Sequence, residues 1–99
     1  VSHVYAISLM VGLSSPPESL VAVNKWLEEN GDDPLVDLSA HAVGSKHPQV
    51  RAYLAGYNGI DTAEFIRVVK AQNWEDGCSL IIWPEDSSII EWHVDSEYL

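Results

Sequence analysis

Val50–Lys70 reads VRAYLAGYNGIDTAEFIRVVK, and within it the hydrophobic spacing switches from that of a strand to that of a helix. Val50, Ala52 and Leu54 alternate with Arg51, Tyr53, Ala55 and Tyr57, as in a strand with two unlike faces. Asn58-Gly59 stops the alternation. Asp61-Thr62-Ala63-Glu64 then has capping-box spacing, and Ile60 and Phe65 stand where a hydrophobic staple closes across the cap. Phe65, Val68, Val69 and Gln72 share one helical stripe with Ile66 beside it, while Arg67 and Lys70 lie opposite. Glu64 in the first turn and Lys70 in the last agree with the helix dipole, and Glu75-Asp76-Gly77 ends the segment. An amphipathic helix that follows a strand has to bury its stripe on a sheet.

A similar unit lies upstream. His3 to Leu13 places Tyr5, Ile7, Leu9 and Val11 on one parity and Ala6, Ser8 and Met10 on the other, predicting a central strand. Ser15 and Glu18 have capping-box spacing around Pro16, which suits a first helical position. The helix is expected to run to about Glu29 and stop at Asn30-Gly31, with Leu20, Val23 and Leu27 inward and Trp26 flanking them. After the turn Asp32-Asp33-Pro34, Val36, Leu38, Ala40 and Ala42 alternate with Asp37, Ser39, His41 and Val43. This predicts a strand that forms an antiparallel hairpin with the Val50 strand through Gly44–Pro48. Cys78–Trp83 and Ile89–Val94 read as two further strands joined by Pro84–Ser88, and Trp26 and Trp92 are expected to be at least partly buried.

The resulting order is β-α-β-β-α-β with an additional C-terminal strand. Its 99 residues suffice for one domain, residues 1–99, with a core between two layers. The predicted fold is an α+β two-layer sandwich of ferredoxin-like topology. Its mainly antiparallel sheet is covered on one face by two helices, with the first and third strands central.

Composition narrows the partners. Hydrophobic residues make up 46% of the chain and charged residues 20%, which excludes a disordered tail. Fifteen Asp and Glu against five Lys and Arg give a formal net charge of −10. From Glu75 onward there are seven acids and no Lys or Arg. Such a field opposes nucleic-acid phosphates and steers a basic protein partner. The single cysteine, Cys78, leaves no internal disulfide and no cysteine-rich metal site, and its strand context predicts a buried thiol. The apolar run Ala6–Leu13 is too short to span a bilayer and has no basic residues before it. The expected location is therefore the cytoplasm, away from membranes.

Each catalytic constellation lacks a necessary part. His3, His41, His47 and His93 show no metal-ligand spacing, and Ser87-Ser88 reads as a turn. Gly12–Pro17 has one glycine and two prolines, too few amide donors for a phosphate cradle. Paired acids among Glu85, Asp86, Glu91 and Asp95 would need an enclosed pocket to separate their pKa values. No catalytic residue, cofactor or metal is assigned. What remains is the uncovered sheet face, where parity places His41, Arg51, Tyr53, Tyr57, Ile81 and Trp83, with Glu91 and His93. Tyr53, Tyr57 and Trp83 are the expected contact area of a partner-binding surface, with Glu85, Asp86, Glu91, His93 and Asp95 around it. The expected function is a small acidic protein-binding or inhibitory module that occupies a basic partner's surface, analogous in fold type and charge to immunity and antitoxin proteins. The alternatives are a homo-oligomeric, dimer-forming ligand-sensing or regulatory domain, and a small enzyme using His41 or His93 beside a carboxylate.

Overall fold

Two helices with one apolar stripe each need a common sheet, and the chain supplies it. A computed structural model describes residues 3–85 and the backbone of Ile90–Val94. In chain order the elements are β1 (Val4–Gly12), α1 (Pro17–Glu29), a 3-10 turn (Ser39–His41), β2 (Val50–Asn58), α2 (Thr62–Lys70), β3 (Cys78–Pro84) and β4 (Ile90–Val94). The sheet order is β2-β1-β3-β4 with every neighbouring pair antiparallel. This is a ferredoxin-like α+β sandwich with β4 as the additional C-terminal strand.

Register sorts the two sheet faces. Tyr5, Ile7, Leu9 and Val11 of β1 pair with Tyr57, Ala55, Tyr53 and Arg51 of β2, and with Pro84, Ile82, Leu80 and Cys78 of β3. Val23 and Leu27 of α1 and Phe65 and Val69 of α2 join this side in one buried core. Trp26 is partly buried and meets Phe65 at a ring-centroid distance of 5.8 Å and an interplanar angle of 50°, bringing α1 against α2. The side chain of Trp92 lies outside the described residues.

The helix ends show which local signals prevail. At α2 the Asp61 carboxylate accepts the Glu64 N–H at 3.1 Å, and Ile60 and Phe65 are both buried. The helix ends at Lys70, before Gln72, with the Gln72 N–H turning to Val69 O at 3.2 Å and two side chains joining in on the last carbonyls. Gln72 Nε2 donates to Val68 O at 3.0 Å, and Trp74 Nε1 donates to Val69 O at 2.8 Å. At α1, Pro16 occupies the cap position with no side-chain cap, whereas Ser15 and Glu18 were expected to form a box. The Ser15 hydroxyl is engaged elsewhere: it accepts from Glu75 N–H and donates to Glu75 O, both at 3.1 Å. Ser19 adds a second tie by donating to Asn73 O at 2.5 Å. The far end of α1 follows the expected stop, with Gly31 at φ 81° and the Asp32 N–H returning to Leu27 O at 2.9 Å.

The strand predicted at Val36–Val43 is reduced to one bridge, Asp37 with Tyr53, supported by Leu38 N–H donating to Ala52 O at 2.8 Å. Asp37 Oδ1 accepts from Ser39 N–H at 2.8 Å and from Ser39 Oγ at 2.7 Å, and this side-chain turn bends the backbone into the 3-10 segment. A polar residue placed to alternate in a strand serves a turn instead.

Gly12 lies where β1 passes closest to the α2–β3 connection. A Cβ there would meet the Glu75 carbonyl oxygen and lie 2.6 Å from Asp76 Cβ. Gly12→Ala is therefore expected to cost about 1–3 kcal/mol in urea unfolding. Phe65→Ala should cost about 3–5 kcal/mol, and Val21→Ala, on the exposed side of α1, less than about 0.5 kcal/mol.

Candidate functional site

The two sheet faces differ more in volume than in polarity. Tyr53 and Tyr57 are 3% and 6% exposed and lie beneath the helices, so they supply no contact area on the open face; that expectation is corrected. Arg51 shares their parity and belongs to the same side. Two broad rings fill the space under short helices better than Val50, Ala52 and Leu54 would, and their polar tips reach the edge of the layer. Tyr57 OH donates to Asp33 O at 2.7 Å. Burial, then the Asp37 charge, raises the Tyr53 phenol, against the opposing charge and hydrogen bond of Arg51.

The face turned away from the helices carries Val4, Ala6, Ser8 and Met10 from β1, Val50, Ala52 and Leu54 from β2, and Ser79, Ile81 and Trp83 from β3. Trp83 is 59% exposed, Leu54 58% and Met10 42%. Register sets Trp83 against Ala6, and Leu54 and Ile81 on either side of Ser8, so all three strands carry apolar side chains on this face, with Ser8 and Ser79 interspersed. No Asp, Glu, Lys, Arg or His stands among these positions. Met10 and Leu54 were assigned to neither a site nor a partner by sequence reading. The available signal was the greater bulk of the Tyr53–Tyr57 parity, which earns burial over the aliphatic one.

Acidic groups border this face. Glu85 follows β3 and is exposed; its carboxylate accepts the Val4 N–H at 3.1 Å, and its own N–H donates to Val4 O at 3.0 Å. Glu91 and His93 of β4 are the register partners of Ile81 and Ser79. Asp86 and Asp95 lie outside the described residues. His41 ends the exposed 3-10 turn and is not part of the sheet, unlike its predicted strand position. His47 Nδ1 accepts the Gln49 N–H at 3.2 Å. Among the described residues no three His, Cys, Asp or Glu side chains gather to hold a metal ion, and no helix is long and apolar enough to cross a membrane.

Cys78 is buried, and burial pushes its thiol up to about 12, away from a reactive thiolate. Burial, then the Asp32 and Asp33 charges, pushes the Tyr57 phenol up to about 12 as well.

No family model, curated protein or solved structure matches the chain.

Both raised groups are held protonated by folding. Their stabilisation is complete below the ordinary values of 9.0 for the thiol and 10.0 for the phenol, and it is lost as pH rises from there toward 12. The urea midpoint should therefore fall across that alkaline window. In Tyr57→Phe the alkaline decline should be shallower, from a neutral-pH stability about 1 kcal/mol lower because the bond to Asp33 is gone. At pH 8 Cys78 should resist iodoacetamide in the native chain and react readily in urea.

Proposed function

We propose that this chain is a small acidic protein-binding module whose open sheet face seats a partner that presents an apolar patch bordered by Lys and Arg. By covering that basic surface it would act as an inhibitor. The observation that carries the reading is the exposed set Met10, Leu54 and Trp83 on three neighbouring strands, with no ionisable group on that face of β1, β2 or β3. Tryptophan supplies wide, stiff contact area, and an uncharged centre avoids the desolvation cost of buried ions. Around the centre the chain's excess of acids supplies the long-range part: fifteen Asp and Glu against five Lys and Arg favour encounter with a cationic surface. The same charge opposes pairing of two copies, each with a formal −10.

The test is recovery of the partner on the immobilised chain at low salt, followed by kinetics with the purified pair. The recovered protein should be basic. Trp83→Ala and Leu54→Asp should each weaken it by about thirtyfold or more while leaving urea stability nearly unchanged. Added salt should slow association more than it speeds dissociation. Binding that is indifferent to both substitutions would refute the assignment. So would a concentration-dependent dimer, seen by sedimentation in the absence of any partner and dissolved by Leu54→Asp, because the face would then belong to a second copy.

A further inference from the structure

On the opposite side of the sheet, where β1 gives way to α1, the two layers leave a cleft of about 190 Å³. Val11, Pro16, Leu20 and Trp74 are among its apolar walls, and Arg51 and Tyr53 of β2 line it as well. These residues are distinct from the open face, since Arg51 and Tyr53 pair with Val11 and Leu9 on the helix side.

The cleft is held open by groups that are already satisfied. Ser15 and Ser19 tie the start of α1 to Glu75 and Asn73, and Trp74 is anchored through its indole N–H to Val69 O. A preformed site loses little freedom on binding. Arg51 is one of five Lys and Arg in a chain with fifteen acids, yet it lines an apolar recess. The Asp37 carboxyl is held below its ordinary value first by the hydrogen bonds from the Ser39 hydroxyl and N–H and, less, by the Arg51 charge, and Arg51 also hydrogen-bonds the Tyr53 hydroxyl beside it in the same recess. A guanidinium beside apolar walls suits a planar carboxylate attached to a hydrocarbon body.

The surroundings discriminate among anions. Pro16 and Pro17 have no amide hydrogen, the Ser19 N–H is bonded to Pro16 O, and Glu18 stands in the first turn. A phosphate dianion would therefore find few donors and a nearby negative charge. The volume lies below the roughly 300–1,000 Å³ of sites for drug-sized ligands, which limits the body to a short alkyl chain or a single ring.

We propose that this cleft binds a small monocarboxylate with an apolar body, Arg51 receiving the carboxylate while Val11, Leu20 and Trp74 enclose the body. The test is titration of the isotope-labelled chain with hexanoate and benzoate, read at the Trp74 indole N–H and the Val11 and Arg51 amides by nuclear magnetic resonance. Both acids should give saturable shifts with Kd on the order of 1 mM or tighter. Hexanamide and benzamide should bind at least about tenfold more weakly, and Arg51→Gln should abolish the preference for acid over amide. Trp83→Ala should leave the titration unchanged, which separates this site from the open face. Equal binding of acid and amide would overturn the proposal, as would shifts that persist unaltered in Arg51→Gln. Inorganic phosphate binding as tightly as hexanoate, or the absence of any shift at tens of millimolar, would do the same.

Discussion

Leu9 lies between Tyr53 on one neighbouring strand and Leu80 on the other, and this row decides which half of the sheet faces the helices. All three residues are buried. Because side chains alternate along a strand, a shift of one residue would bring Met10 and Leu54 under the helices and turn the tyrosines out. The observed register gives the helices Tyr53 and Tyr57 of β2, with Tyr5 of β1 beside them, and aliphatic side chains from β1 and β3. Its consequence is an apolar strip on the far side, where Val4, Met10, Leu54 and Trp83 are left to solvent.

The helices were legible because their signals are local. Asp61 and Glu64 sit three residues apart, the staple pair spans a single turn, and Gly31 needs nothing distant to adopt its left-handed conformation. The failures share the opposite character. Ser15 has the right neighbours for a cap, but its hydroxyl is taken by Glu75, sixty positions along the chain. Asp37 has the right parity for a strand residue, but Ser39 offers it a turn. Alternation in β2 was evident in the sequence, whereas the inward parity depended on how much space the helices leave beneath them. Trp83 lies on the open face because the burial of β3 alternates with Leu80 and Ile82 inward, a choice that the uninterrupted apolar run Leu80–Trp83 does not itself make.

The two candidate sites divide the chemistry of the sheet. One side offers area without charge at its centre, and the acidity of the remaining surface acts from a distance. The other holds one cation against a small apolar recess, where a lone Arg51 carries more weight than it would on a surface rich in lysine and arginine. A net charge of −10 is compatible with both, because screening limits the general field to roughly a Debye length while a direct guanidinium contact acts at hydrogen-bond distance.

The position of β1 also bears on how the chain acquires its structure during synthesis. Its two hydrogen-bonding neighbours begin at Val50 and Cys78, so it leaves the ribosome well before either is available. For roughly several seconds of elongation, α1 is the only formed element able to shield it, and a helix cannot satisfy the backbone edges of a strand. Ile7, Leu9 and Val11 are then an adhesive segment awaiting sequence that has not yet been translated. An N-terminal fragment ending before β2 would stay in that condition permanently, and its fate would be aggregation or capture by a chaperone.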